Sequence, residues 1–296
     1  MAETEPIRVM IVDDDPASRV LISRVLDGCE DVRIVGSSSD GHRALVDVER
    51  LRPDVITLDL EMPQLGGFAF LRLLMARRPT PVVVISGQGD RELAFRALEL
   101  GALDFVAKPG VTPDATILDL QARLLMCVRS VRRLTNVRVS QHAITPTKLA
   151  ETPPPERPLR KSQVAAVACV VASTGGPGII EAMLGELNPD FDGVVLIAQH
   201  MPARFTESFA TRLDRRCAVS VREACDGEVL QRGHVLIAPG QRNVELEREG
   251  AEVIVRVRDA SDSRQGMAAL APSGDLLMAS AARVFGSSTC AVVLSG

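Results

Sequence analysis

At 296 residues, with 46% hydrophobic and 24% charged side chains, the chain holds enough apolar material for two buried cores, so two domains are expected. A net charge of -4 without a dense basic patch, and the lack of any Trp or Tyr, argue against nucleic acid as a partner. No apolar run approaches the ~20 residues of a membrane span, and residues 1–6 lack the charged and apolar parts of a signal peptide, so no membrane insertion is expected and the expected location is the cytoplasm.

Along the first part of the chain, short apolar runs alternate with helical patterns five times. Strands are expected at Val9–Val12, Arg33–Val35, Val55–Leu58, Val82–Ile85 and Phe105–Val106. Helices are expected at Arg19–Leu26, Arg43–Leu51, Phe68–Met75, Glu92–Leu100 and Leu118–Leu134. That rhythm is the signature of a doubly wound α/β fold with a parallel sheet, in which chemistry gathers at the carboxyl ends of the strands. Asp13, Asp14 and Asp15 follow the first strand, Asp59 the third, Ser86 the fourth and Lys108 the fifth. Taken singly, these read as turns, caps or solvated surface. Jointly they bring carboxylates, a hydroxyl and an ammonium to one edge. Carboxylates crowded in this way call for a hard cation such as Mg2+, and lysine with serine suits a phosphoryl group on an aspartate.

With those residues in place, the segment resembles a response-regulator receiver over residues 7 to 130. The resemblance implies a flavodoxin-like five-stranded parallel sheet. It also implies a phosphoacceptor, Asp59, within Leu58-Asp59-Leu60-Glu61-Met62-Pro63. Mg2+ would be held by Asp13, Asp14, Asp59 and the backbone carbonyl of Glu61. Ser86, Phe105 and Lys108 would form the phosphorylation switch, and a histidine kinase would donate the phosphoryl group.

Residues 131–163 lose apolar periodicity and contain Pro146, Pro153, Pro154, Pro155 and Pro158, which reads as a semi-rigid linker between domains 1–130 and 164–296. Beyond it, the apolar run Val164–Val171 reads as a buried strand that stops abruptly at Ser173-Thr174-Gly175-Gly176-Pro177. A strand, a sharp turn and a helix start is a geometry that lifts a hydroxyl off the sheet edge beside backbone N–H groups, making Ser173 a candidate nucleophile. Further expected elements are a helix at Ile179–Leu187, a strand at Val194–Ala198 and a helix at Phe205–Leu213. Strands at Val219–Glu223 and His234–Ala238 follow, then a hairpin of Val244–Glu247 with Val253–Val257, a helix at Leu276–Phe285 and a strand at Ala291–Leu294. This is α/β again, mostly parallel with one antiparallel excursion.

Of the four histidines, His42 and His142 fall outside this part, and His234 begins a strand, away from the edge where sites form. His200, in Gln199-His200-Met201-Pro202, follows the carboxyl end of a strand on the edge that carries Ser173, where it can serve as a base or as a cap. A dinucleotide-binding reading is disfavoured, because Gly175-Gly176 lacks the three-glycine spacing and no acidic residue about 20 positions on ends a second strand. The cysteines, Cys29, Cys127, Cys169, Cys217, Cys225 and Cys290, show no C-x-x-C spacing and read as reduced core thiols.

The two halves together resemble the chemotaxis methylesterase and glutaminase family, a receiver joined to an α/β esterase. The matching stretches are Ala172-Ser173-Thr174-Gly175-Gly176-Pro177, Gln199-His200-Met201-Pro202 with Phe205-Thr206 and Ser208-Phe209 following, Glu223-Ala224 with Asp226-Gly227, Ile237-Ala238-Pro239-Gly240, and Asp275 with Ser280-Ala281-Ala282. The resemblance implies hydrolysis of glutamyl methyl esters, and deamidation of glutamines, in methyl-accepting chemotaxis receptors. Ser173 would be the nucleophile, His200 the base and Thr174 a support for the oxyanion, with no cofactor in the esterase site. The unphosphorylated receiver would cover that site, and phosphorylation of Asp59 would release it. The family completes its triad with an aspartate in a turn after the last strand, a residue expected beyond Gly296. Neither Asp262 nor Asp275 matches it. Two readings therefore stand: an esterase whose third triad member lies outside this sequence, or a phosphoreceiver whose second domain binds without catalysing.

Overall fold

The structure is a computed structural model that describes residues 5–87, 91–110, 116–134, 164–203, 205–260 and 271–295. The chain divides into two compact units, Met1–Thr145 and Pro146–Gly296. Much of the expected linker lies outside the described residues.

In the first unit, β1 (Ile7–Val12), α1 (Pro16–Leu26), β2 (Val32–Ser38), α2 (Gly41–Leu51) and β3 (Val55–Asp59) lead to α3 (Gly67–Arg77). Then come β4 (Val82–Ser86), α4 (Arg91–Glu99), β5 (Asp104–Ala107) and α5 (Ile117–Leu134). The five strands form one parallel sheet in the order β2-β1-β3-β4-β5. Every residue of β3 and β5 is buried, as befits strands covered by helices on both faces. One face of the sheet packs Val9, Ile11, Val83 and Ile85 against Ile22 and Val25 of α1 and Leu124 and Val128 of α5.

Local chemistry starts the helices where they are needed. Asp15 caps α1 by accepting from the N–H groups of Ala17 and Ser18, with Pro16 in the first turn, and Asp40 caps α2 through the Arg43 N–H. Such caps contribute about 1 kcal/mol each. Buried Asp47 ties α2 to β2 by accepting from the Ser38 hydroxyl at 2.8 Å. Its carboxyl is held below the ordinary value, first by the hydrogen bond from Arg50 and then by that from Ser38. Helix α5 ends at Leu134, where its pattern predicted, and Val128 and Val131 continue its buried stripe.

In the second unit, β6 (Val167–Ala172), α6 (Gly176–Gly185), β7 (Val194–Gln199), α7 (Phe205–Arg216), β8 (Ser220–Glu223) and β9 (His234–Ile237) come first. The hairpin strands β10 (Arg242–Glu249) and β11 (Glu252–Asp259), α8 (Gly274–Phe285) and β12 (Thr289–Val293) complete it. Five strands are parallel in the order β12-β6-β7-β9-β8. The antiparallel pair β10-β11 turns at Gly250, whose φ of +60° suits glycine. Val244, Leu246, Val253, Val255 and Val257 of that pair share a core with Leu277 and Ala281 of α8 and Val167, Cys169 and Leu196 of the sheet.

Helix α6 starts three residues earlier than its apolar pattern suggests. Gly175 takes φ +75° to make the turn, and Pro177 fits a first helical turn whose N–H groups need no intrahelical acceptor. The reading of the cysteines as core thiols holds for Cys127, Cys169 and Cys217, whereas Cys225 and Cys290 are exposed. Burial pushes the Cys169 thiol up to about 11, which keeps it un-ionised.

Candidate functional site

Each unit gathers polar side chains at the carboxyl edge of its own parallel sheet. In the first, Asp13 follows β1 and Asp59 ends β3, and the chain puts carboxylate oxygens of Asp13, Asp14 and Asp59 within 4.8 Å of one another. Asp13 and Asp59 are buried. Burial, with the charge of Asp59 added, raises the Asp13 carboxyl above its ordinary value, although Ser18 and Lys108 oppose the shift. Lys108, after β5, pairs with Asp59 and lies 3.4 Å from Asp13 Oδ2. Burial alone would lower the Lys108 ammonium, but its hydrogen bond to Asp59 and the two carboxylate charges outweigh burial and hold it up.

The rest of the first edge is backbone work. The Glu61 N–H donates to Asp59 Oδ1 at 3.1 Å, and the Asp15 N–H donates to Asp13 Oδ1 at 2.9 Å. Two contributors were not foreseen from the sequence. The Ser18 hydroxyl donates to Asp13 Oδ2 at 2.5 Å, and Arg19 Nη1 donates to the carbonyls of Asp13 and Asp14 at 2.7 and 2.9 Å. Arg19 thereby ties down the backbone that carries the two acidic side chains. Ser86 ends β4 in register with Ala107, on the same edge by its backbone. Phe105 is turned inward, 1% exposed, with its ring edge-on to Phe95 of α4 at 5.8 Å between centroids.

In the second unit, β6 and β7 are neighbours, so Ser173 and His200 leave the sheet side by side. The His200 N–H donates to the Ala172 carbonyl at 3.0 Å, the last rung between the two strands. Ser173 is 2% and Thr174 8% exposed, so the turn is nearly sealed from water. The Ser173 carbonyl accepts from the Gly176 N–H at 2.9 Å, which closes the turn into α6. The Ser173 N–H donates to Ser295 Oγ at 3.0 Å, and the Leu294 N–H to the Val171 carbonyl at 2.9 Å, so the segment after β12 braces the Ser173 turn.

The His200 loop is braced as well. Gly240, after β9, presses against it: a Cβ there would lie 2.6 Å from the Met201 carbonyl oxygen and 2.8 Å from the Ala203 nitrogen. Thr206, wholly buried at the start of α7, accepts from the Gly240 N–H at 3.0 Å and donates to Glu223 at the end of β8. Fully buried Gln199 reaches the carbonyls of both Ser173 and His200. His234 opens β9, at the opposite end from this edge. Asp275 lies in the first turn of α8, and Asp262 lies outside the described residues. Gln199 and Thr206 stood in stretches that carried the family resemblance, and Ser295 in the turn that begins after the last strand, though none had been given a role. Ser18 and Arg19 gave no signal.

A serine and a histidine leaving one sheet edge side by side suit acyl transfer, and a buried carboxylate cluster beside a lysine suits phosphoryl chemistry on an aspartate. Comparison with known proteins agrees in both halves. A family profile of response regulator receiver domains matches residues 9–120, and one described as CheB methylesterase matches residues 168–296. Protein-glutamate methylesterase/protein-glutamine glutaminase 6 of Anaeromyxobacter dehalogenans is 43% identical over 291 residues, covering 98% of this chain and 79% of that protein. Protein-glutamate methylesterase/protein-glutamine glutaminase 1 of Myxococcus xanthus is 41% identical over 296 residues, covering 100% of this chain and 82% of that protein.

Proposed function

Because this chain belongs to the protein-glutamate methylesterase/protein-glutamine glutaminase family, we propose that it demethylates glutamyl methyl esters, and deamidates glutamines, in methyl-accepting chemotaxis receptors. The observation that carries this reading is the departure of Ser173 and His200 from adjacent strands tied together at Ala172. Neither the relatives nor the geometry favours a second domain that binds without catalysing.

Ser173 Oγ attacks the ester carbonyl carbon while His200 takes the hydroxyl proton. His200 then passes that proton to the departing methoxide, so methanol leaves and an acyl-serine remains. Water, deprotonated by His200, attacks the acyl carbon and releases the glutamate carboxylate, the proton returning to Ser173. With a glutamine substrate the same steps release ammonia. The N–H groups of the turn after Ser173, with Thr174 in support, face the developing oxyanion. Burial of the turn makes those dipoles count for more than they would in water.

Regulation belongs to the first unit. Asp59 accepts a phosphoryl group from a histidine kinase, Lys108 pairs with the added charge, and Ser86 donates a hydrogen bond to a phosphoryl oxygen as Phe105 reorients with it. The acidic pocket fits Mg2+: its donors are hard carboxylate oxygens in close mutual reach. Asp13, Asp14, Asp59 and the Glu61 carbonyl would hold the ion, which supplies charge neutralisation at the phosphoryl oxygens. The receiver ends with α5 and the esterase begins near residue 164. Six free thiols fit a reducing, cytoplasmic setting, and no helix among the described residues is long and apolar enough to cross a membrane.

The test is methanol release from methylated receptor membranes, with and without a small phosphodonor and Mg2+. Release that disappears in Ser173→Ala, and whose rise with the donor disappears in Asp59→Ala, is expected. Release that survives Ser173→Ala would overturn the assignment of the nucleophile.

A further inference from the structure

Gln199 closes a strand whose every residue is buried, and its own exposure is 0%. A carboxamide in that setting is tolerated only if it is hydrogen-bonded. Its Nε2 donates to the Ser173 carbonyl at 2.9 Å and to the His200 carbonyl at 3.1 Å. Chemistry fixes the orientation, because the reversed amide would aim a lone pair at two acceptors.

The backbone ladder between β6 and β7 runs out here. Ala172 and Gln199 are its last paired residues, after which one chain enters the Ser173 turn and the other the His200 loop. The two protons of the Gln199 amide replace the rung that the diverging backbones no longer supply. The remaining space is set by Gly176: a Cβ there would lie 2.0 Å from Gln199 Oε1 and 2.8 Å from Ala172 Cβ. Among the described residues Oε1 has no hydrogen-bond partner, so the amide is held by its NH2 end and by this wall.

We propose that Gln199 is the positioning residue of this site, a side-chain rung that sets the spacing between the nucleophile's turn and the base's loop and that works only because position 176 has no side chain. The proposal rests on the reading of Ser173 as nucleophile and His200 as base. Gln199 touches neither substrate nor the reacting atoms. Its removal lets the two segments slip, and a misplacement of about 1 Å between reacting groups costs about 10²-fold in rate.

The test compares full-length wild type, Gln199→Met, Gln199→Ala, Gly176→Ala and the double variant Gly176→Ala/Gln199→Ala. Methionine fills the volume without donating, and alanine at 176 displaces the amide while leaving it chemically intact. Steady-state methanol release and the rate at which a fluorophosphonate labels Ser173 are read alongside unfolding by circular dichroism. The expected result is a loss of about 10²-fold in kcat for Gln199→Met, with KM within about twofold and labelling slowed in parallel. Gly176→Ala alone should lose comparably, yet add less than that to Gln199→Ala, where the amide it strikes is gone and only the 2.8 Å approach to Ala172 Cβ remains. Should Gln199→Met fail to fold, Gly176→Ala carries the same expectation. Variants that unfold more easily but turn over at the wild-type rate would overturn the proposal and leave Gln199 a packing residue. A wild type that neither releases methanol nor labels would instead overturn the esterase reading beneath it.

Discussion

Gly240→Ala and Gly250→Ala add the same methyl group to two glycines of one domain, and the structure predicts opposite functional consequences. At position 240 the added Cβ meets only backbone: the Met201 carbonyl oxygen at 2.6 Å, the Pro202 carbonyl carbon at 2.8 Å and the Ala203 nitrogen at 2.8 Å. None of these is the yielding end of a side chain, so the loop that carries His200 must move. Overpacking of this kind costs about 1–3 kcal/mol, offset by about 0.4–1 kcal/mol from a stiffer unfolded chain. At position 250 the Cβ meets nothing within 4 Å, but φ is +60°. That left-handed conformation costs an L-residue about 1–2 kcal/mol, with the same offset. Both variants should therefore lose about 1 kcal/mol of stability. Only Gly240→Ala should lose turnover, by about 10²-fold if His200 is carried 1 Å from its place. The absence of Trp and Tyr makes far-UV circular dichroism the natural probe of unfolding, with methanol release as the activity readout. Equal turnover in the two variants, or a Gly240→Ala kcat within about twofold of wild type, would refute the claim that the turn after β9 buttresses the histidine loop.

Three further outcomes follow from the first unit. Mg2+ at about one hundred times its Kd should raise the unfolding free energy by about 2.7 kcal/mol, and Asp13→Asn/Asp14→Asn should abolish the shift, as read by thermal unfolding with and without the ion. Gly67→Ala places a Cβ 2.4 Å from the Asp59 carbonyl oxygen and 2.6 Å from Leu60 Cα. It should slow phosphate uptake on Asp59 from a small donor while leaving donor-independent methanol release unchanged. Asp47→Asn removes a carboxyl held below 3.8, first by the hydrogen bond from Arg50. A lowered folded-state value means stability that is present in full above 3.8 and lost as pH falls through the lowered value. With Arg43 and Arg50 mostly exposed, the carboxylate should be worth about 1 kcal/mol, and urea unfolding of wild type and variant should converge on acidification.

The parallel α/β character and the carboxyl-edge residues were legible because the buried strands are apolar runs that end at residues with chemistry to offer. Asp59 after Val55-Ile56-Thr57-Leu58 and His200 after Val194–Gln199 both announce themselves in this way. The braces were not legible. Gln199 and Arg19 act on backbone carbonyls, which every residue possesses, so nothing in the sequence marks their partners. Gly240 and Gly250 look alike in the sequence, and only the close approach of the Met201–Ala203 backbone separates a steric demand from a conformational one. The start of α6 was hidden because glycines and a proline read as a turn, whereas here they make the turn and begin the helix as well.

The pairing of β12 with β6 also orders events during synthesis. All strands of the receiver sheet lie within residues 7–107, so that unit can fold as soon as α5 emerges from the ribosome. The turn at Ser173 waits much longer, since the hydroxyl that holds its N–H is 122 residues further along the chain. A ribosome must pass Ser295 before that brace can form, and closing so long a loop is an intrinsically slow step. Each newly made molecule thus acquires its phosphate-sensing half before the brace on its serine exists, and a chain interrupted before β12 carries Ser173 without it.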